Sequence, residues 1–580
     1  MMVAEGVHVW ETLRGASRRA FWTGPTPLVA LGGLSLAAVV VLLLATLEVA
    51  FRVEEGYTFK NFFDLYADPF SYKSLLNTLG FALVTVVTAL FFAVPTAWLA
   101  ERTDLPLRGA IYPLMTLGIL IPGFFTAMGW LFLFHPRIGM VNNWLMKFLS
   151  LDHAPFNITS VAGMGFVQGL GLSSLAFVMI ASSFRALDPA LEESAQIHGM
   201  KLLHRLRTIT VPLIWPGILA TGIYIFTIGL AAFDVPAVIG MANRIFTFST
   251  FVYMQSNPQE GMPNYGLAGA SSGAMILIAL VLSWWYLRVV QSSHRYAVVR
   301  GKDYRPKPVE LGRWWIAGWA FIALKVILSL VLPGLVLVWA SLIPFFEPFS
   351  TSALERVSLD NFRRIPWEGF WAAAQNSFIL VASVPTLAAL FGLAISWVVI
   401  RSGLKVSGLF DVLAFLPHAV PGIVFALGAL MFALFWLPAF LPFYGTLFLL
   451  MVVYVIERIS FATRVYNSTL IQIHRELDEA GYVFGLKPVT VVWKILFPLL
   501  APAFLYSWVW MALLTYRELT IAALLVTQRN ITLPVFIWGV FSGGALTQAA
   551  AVSVLLVLLM SPLIILYFTF GRRRFLVGAY

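Results

Sequence analysis

Apolar runs long enough to cross a bilayer recur along the whole chain, and they limit its fold more than any other feature. A hydrocarbon core needs roughly 20 apolar residues per helix. Twelve segments meet that length: near 27–51, 76–100, 109–134, 158–184, 213–240 and 267–290, then 314–344, 376–400, 408–437, 442–465, 501–527 and 548–570. They predict an all-α polytopic membrane protein with twelve transmembrane helices. At 60% hydrophobic and 11% charged residues, the composition lies outside the soluble range. Pro122, Pro236, Pro385 and Pro421 fall inside the runs and blur their ends. The first run follows Arg14, Arg18 and Arg19; it is too long for a signal-peptide core, has no small-residue cleavage site, and reads as a retained first span.

Lys and Arg are retained on the cytoplasmic side of short loops. With the N-terminus inside, the N-terminal tail, 101–108, 185–212, 288–313, 401–405, 466–500 and 571–580 become cytoplasmic, and they hold more than twice as many Lys and Arg as the opposite loops. Both termini are then expected in the cytoplasm. The net charge of +11 is largely this asymmetry, so membrane lipid explains it and no nucleic-acid partner is needed. Cysteine is absent and the histidines are scattered, which removes thiolate chemistry, leaves any metal ligands unassigned and implies no cofactor.

The chain is a duplication. Glu193/Glu479, Gly199/Gly485, Ile209/Ile495, Pro212/Pro498 and Pro216/Pro502 are each separated by 286 residues. Asn77/Asn376, Arg102/Arg401, Leu105/Leu404, Gly109/Gly408, Pro122/Pro421 and Gly123/Gly422 are each separated by 299. The 13-residue difference lies between Gly123 and Glu193, most simply in the polar loop 135–157. Six spans per unit bring both copies into the membrane in one direction, as parallel repeats about an axis along the membrane normal. The expected division is a first six-helix half over 1–290, a linker over 291–313 and a second half over 314–580.

Each half holds one long polar segment between its fourth and fifth spans, over 185–212 and 466–500. The order is Glu193-Ser194-Ala195, Gly199, Ile209 and Pro212 in one, and Glu479-Ala480-Gly481, Gly485, Ile495 and Pro498 in the other. Asp188-Pro189 offers an N-cap and a first-turn proline for a short helix carrying Glu192 and Glu193, whereas His474-Arg475 stands at the matching place. The second loop is therefore expected to depend more on a partner for its order. Small residues at 194 and 195 suit close approach of another surface, and Gly199 suits a left-handed turn or a tight backbone contact. The pattern resembles the EAA loop of the permease subunits of binding-protein-dependent ABC importers. That resemblance implies an ATPase-coupling role for Glu193, Ala195, Gly199, Ile209, Pro212, Glu479, Ala480, Gly485, Ile495 and Pro498. A loop lying on lipid headgroups is the plain alternative.

No G-x-x-x-x-G-K-[ST] occurs; Gly301-Lys302-Asp303 lacks the leading Gly and the hydroxyl. The resemblance then implies two separate ATP-binding cassette subunits, a periplasmic or lipid-anchored substrate-binding protein, and an inner-membrane permease that is not itself an enzyme. The stretches 231–240, 264–273, 415–428 and 515–525 resemble fused permeases of the ferric-iron type, a pattern shared with thiamine, polyamine-like and phosphonate permeases. A twelve-helix secondary transporter is the other class; its basic motif between the second and third spans is missing from Ala100–Gly109, and no constellation suits a membrane-embedded enzyme. Ionisable residues inside spans are costly and often functional. Asp234, expected near the outer end of the fifth span, and Arg517 and Glu518, expected within the eleventh, are candidates for the translocation path; Lys325, Glu457 and Arg458 also fall within spans.

Parallel repeats require residues 200 and 486 to lie on the same side. In a cysteine-free chain, single Met200→Cys and Leu486→Cys variants should react with an impermeant maleimide from the cytoplasmic side only. Labelling from opposite sides would refute the topology.

Overall fold

The computed structural model describes residues 27–54, 56–258, 260–293, 308–437 and 443–577. The basic N-terminal tail and most of the expected linker, with Gly301-Lys302-Asp303, lie outside the described residues. Apart from a two-stranded hairpin, Arg52–Val53 with Gly56–Tyr57, and an isolated bridge, the ordered elements are helices. Nine helices among the described residues are long and apolar enough to cross a membrane: Pro27–Phe51, Pro69–Arg102, Val161–Ala186, Leu202–Ala231, Tyr265–Val289, Gly312–Leu342, Trp367–Ile400, Pro488–Tyr516 and Leu546–Thr569. Two bent pairs raise the number to as many as eleven: Arg108–Leu120 with Gly123–Phe134, turned by 88°, and Ser407–Ala419 with Gly422–Trp436, turned by 102°. The expected tenth span is the helix Leu447–Gln472, where Glu457, Arg458 and Arg464 keep it from counting as apolar. Length and apolarity alone thus stop short of twelve.

Both bends sit at a proline. Pro122 and Pro421 lack an N–H and push the preceding residue out of the helical region; Ile121 is at ψ 132 and Val420 at ψ 135. Pro385, by contrast, is carried within the unbroken helix Trp367–Ile400, as Pro95 is within Pro69–Arg102. The duplication is visible element by element. Val161–Ala186 and Leu447–Gln472 begin and end 286 residues apart, as do the π-helical turns Leu206–Thr210 and Val492–Leu496. The extra residues of the first half fall between Phe134 and Val161, where they form the helix Met140–Leu149.

The halves are laced together. The first span, Pro27–Phe51, packs on the second half's Gly422–Met431 and Trp367–Ile400, while Leu332–Leu342 of the second half packs on the first half's Gly123–Phe134. Each crossing rests on a glycine, and the two are 299 residues apart. A Cβ on Gly129 would stand 2.7 Å from Pro333 Cα, and one on Gly428 would stand 2.1 Å from the Leu42 carbonyl oxygen. Close backbone approach then admits a polar tie, the Thr46 hydroxyl donating to the Val424 carbonyl at 3.0 Å. The end of the linker is stitched to the first half: Val309 N–H donates to the Arg102 carbonyl at 2.8 Å, and Leu311 N–H to Asp104 Oδ1 at 2.8 Å.

Because the groups facing these glycines are backbone atoms, they cannot yield as a flexible side chain does. Gly129→Val and Gly428→Val should each cost about 1–3 kcal/mol or more through overpacking, read as a lower thermal midpoint in detergent. Gly171→Val, where a Cβ meets nothing within 4 Å, serves as the control. Equal midpoints in all three variants would contradict the crossings.

Candidate functional site

Two polar knobs interrupt the bundle. In the first, the Asp188 carboxylate accepts from Ala190 N–H at 2.9 Å and Pro189 opens the helix Pro189–Ile197. The helix ends in a left-handed glycine, Gly199 at φ +77°, where Met200 N–H closes back on the Ala195 carbonyl at 3.0 Å. The second knob repeats this with Glu476–Val483, Gly485 at φ +75° and Leu486 N–H on the Gly481 carbonyl at 3.0 Å. A Cβ at either glycine would meet nothing within 4 Å, so the positive φ, rather than crowding, selects glycine. Arg475 makes no side-chain cap at the second helix.

The small residues act differently from expectation. Ala195 is buried within the knob, and a Cβ on its counterpart Gly481 would lie 2.9 Å from Ile495 Cδ1. They let each knob close on itself, while Ser194 and Ala480 are exposed. Ile209 and Ile495 are half-buried, and Pro212 and Pro498 open the helices Val211–Ala231 and Phe497–Tyr516. Glu193 is half-buried and Glu479 exposed. Large apolar side chains point outward at matching places: Leu191 and Ile197 are 48% and 85% exposed, Leu477 and Val483 44% and 71%. Apolar groups presented this way on polar knobs make a surface suited to a protein partner.

A second site lies where the halves meet. The spans expected over 213–240 and 501–527 are broken: one helix stops at Ala231 and the other at Tyr516, after which Thr520–Leu525 resumes. Arg517 and Glu518 thus sit in a break, not inside a continuous span. Arg517 Nη1 donates across to the first half, to the carbonyls of Ile119 at 2.5 Å and Ile121 at 3.1 Å. These flank the proline bend, where helix-end carbonyls lack intrahelical donors and attract a cation. Arg458 pairs with Glu457 at 2.6 Å and Glu518 at 3.0 Å, and the Tyr454 hydroxyl donates to the Glu518 carbonyl at 3.4 Å. Asp234 follows the end of the helix Val211–Ala231 by three residues. It lies at the bend, where a Cβ on Gly123 would be 3.1 Å from its Oδ2, within electrostatic range of Arg517 and Glu518. A Cβ on Gly422 would likewise be 3.1 Å from Glu457 Oε1. Two acids therefore face the N-terminal ends of Gly123–Phe134 and Gly422–Met431, where a negative charge is favoured.

The sequence candidates Asp234, Arg517 and Glu518 come together with Glu457 and Arg458. Lys325 stays apart, buried against Ser174 Oγ at 2.5 Å. Tyr454 carried no sequence signal of its own. Among the described residues no group of three or more His, Cys, Asp or Glu is arranged to hold a metal ion.

Helices that cross in parallel sets, proline-bent segments and a pair of knobs define a membrane permease of the importer class. The family model "Binding-protein-dependent transport system inner membrane component" matches residues 83–295 and again 376–574, and the chain belongs to that family. A ferric transport system permease protein, FbpB, of Actinobacillus pleuropneumoniae is 24% identical over 499 residues, 84% of this chain and 68% of that protein. An Fe(3+)-transport system permease protein, FbpB 2, of Haemophilus influenzae is 23% identical, covering 83% of this chain and 87% of that protein. A sulfoquinovosyl glycerol transport system permease protein, SmoG, of Agrobacterium fabrum is 26% identical over 40% of this chain and 76% of its own length. A solved bacterial ABC transporter for alginate is 19% identical, covering 50% of this chain and 97% of that one, with a TM-score of 0.34.

A β-branched residue is strongly disfavoured at positive φ. Gly199→Val and Gly485→Val should misplace the knob helices with little effect on insertion, and the double variant should retain under about a tenth of wild-type uptake, equivalent to ~1.4 kcal/mol. It should also co-purify with little ATPase subunit. Full ATPase recovery with normal uptake would show that the knobs do not couple.

Proposed function

We propose that this chain is the fused permease of an ATP-driven importer that passes ferric iron, delivered by a periplasmic or lipid-anchored binding protein, into the cytoplasm. The observation that carries the reading is the doubled knob: two docking surfaces on one polypeptide call for two ATPase subunits and no second permease. The halves span 1–290 and 314–580, joined by 291–313, with coupling loops 185–212 and 466–500. Leu447–Gln472 is the tenth span and completes the twelve; its Glu457 and Arg458 face the other ionisable groups, and its Arg464 lies 3.1 Å from Asp411. Both termini and both knobs lie in the cytoplasm. Hydrolysis of ATP belongs to the separate subunits.

The path runs through the cluster between the halves, with Asp234, Arg517 and Glu518 joined by Glu457, Arg458 and Tyr454. Three carboxylates and a phenol are hard oxygen donors of the kind a highly charged cation prefers, and acids outnumber guanidinium groups there. Arg458 is held by Glu457 and Glu518, so a passing cation competes with it for these carboxylates. The iron-named relatives match 73–84% of the chain, whereas those named for sulfoquinovosyl glycerol or sn-glycerol-3-phosphate match 40–41%.

Proteoliposomes holding the permease with its ATPase subunits and loaded binding protein should accumulate radioiron. Asp234→Asn and Glu518→Gln should lower uptake by about an order of magnitude, equivalent to ~1.4 kcal/mol at the barrier, with the ATPase still attached. Uptake of thiamine or a phosphonate, with none of iron, would overturn the ferric assignment.

A further inference from the structure

One arrangement is built twice in this chain, an arginine on two carbonyls and a carboxylate, in surroundings that otherwise differ. Arg102 ends the second span of the first half. Its Nη2 donates to the carbonyls of Phe184 at 2.9 Å and Leu187 at 2.8 Å, and its Nη1 lies 3.8 Å from Glu192 Oε2. Arg401 stands at the matching place in the second half. Its Nη2 donates to the carbonyls of Leu470 at 3.0 Å and Ile473 at 2.7 Å, and its Nε lies 3.2 Å from Asp478 Oδ2. The arginines are 299 residues apart, and Phe184/Leu470, Leu187/Ile473 and Glu192/Asp478 are each 286 apart. Each guanidinium therefore joins three elements: the end of the second span, the end of the fourth span and the knob helix. The paired side chains are buried in both copies, at 6% and 9% exposed in the first and 4% and 7% in the second.

We infer that Arg102 and Arg401 are the positioning residues that fix each knob rigidly to the transmembrane bundle, so that a displacement imposed on the knob by an ATPase moves the second and fourth spans with it. A planar fork is required, because one group must reach two carbonyls and a carboxylate in fixed directions. A lysine supplies the charge as a point and cannot span them.

The rest of each knob interior argues that the fork is the shared requirement. In the first knob the Arg205 guanidinium donates to Gln196 Oε1 at 2.8 Å and the Thr210 hydroxyl to Glu192 Oε1 at 2.5 Å. The positions matching Arg205, Thr210 and Gln196 are Val491, Leu496 and Tyr482, so the second interior is largely apolar. Shape is kept while chemistry changes, and only the fork persists. Burial raises the Asp478 carboxyl from its ordinary value, outweighing the opposite pull of Arg401 and Arg475, and a buried ion pair is weak evidence for net folding energy.

The inference rests on the permease reading and not on iron. It is tested in the complete transporter, with its ATPase subunits, in two ways. Double electron–electron resonance between labels at Leu83→Cys and Leu203→Cys, and between labels at Ala382→Cys and Lys487→Cys, reads how firmly each knob is held and needs no substrate. Radioiron uptake per ATP hydrolysed reads transmission. Arg102→Lys with Arg401→Lys should leave the ATPase attached, broaden both distance distributions and lower uptake per ATP about tenfold or more. Glu192→Gln with Asp478→Asn should act in the same direction. Glu192→Asp and Asp478→Glu, which give each half the other's carboxylate, should keep both distributions narrow. Narrow distributions in the lysine variant, an unchanged uptake-to-ATP ratio, or loss of ATPase in proportion to loss of uptake would each overturn the inference. If wild type carries no iron, the ferric assignment alone fails and the distance measurement still decides the role of the fork.

Discussion

Backbone polar groups in a bilayer have no water to turn to, and the two proline bends release such groups in the middle of this bundle. At the first bend the carbonyls of Ile119 and Ile121 are taken by Arg517 from the opposite half. A guanidinium buried there needs negative charge nearby, and Asp234 and Glu518 lie within its electrostatic range. Glu518 in turn holds Arg458, which holds Glu457, which faces the helix that begins after the second bend. The charge cluster is thus a chain of mutual requirements that starts from Pro122 and ends at Pro421.

The same geometry explains why a duplicated scaffold has an unduplicated centre. The positions matching Arg517, Glu457 and Arg458 in the first half are Ala231, Gly171 and Leu172. One guanidinium donated across the interface serves one bend only, so the pseudo-twofold relation is kept by the helices and broken by the charges. Such a centre distinguishes the two halves for anything passing between them, although both present the same outline to their partners.

Much of this was legible in advance, for identifiable reasons. Run length gave the spans, and subtraction of residue numbers exposed the repeat because prolines and glycines at bends and turns resist drift. The helix Leu447–Gln472 falls where the apolar run placed a tenth span, although Glu457, Arg458 and Arg464 keep it from counting as one by apolarity. The breaks at Ala231 and Tyr516 were missed because apolar residues resume after them, so Asp234 and the Arg517–Glu518 pair were read as charges inside continuous spans. Ala195 was read as facing outward from its size alone, when its counterpart Gly481 is hemmed in by Ile495 from the same knob. Arg102 and Arg401 stood out as a matched pair, yet their roles were invisible: the carbonyls they hold belong to residues whose side chains are irrelevant to the bond, roughly 70–85 positions away.

The second knob, expected to depend more on a partner because it lacks an aspartate cap, has a tie of its own. Arg475, in the place of Pro189, reaches back to the Ile400 carbonyl at 3.0 Å and so ties the second knob to the end of its own second span. The first knob receives its equivalent support from elsewhere, since Val309, near the end of the linker, bonds the carbonyl of Arg102 itself. A cap and a linker strap on one side balance an extra arginine and an apolar interior on the other. What the two solutions share is that both terminate on the second span at its junction with the knob, so that each knob is tied by hydrogen bonds to the helix end beside it.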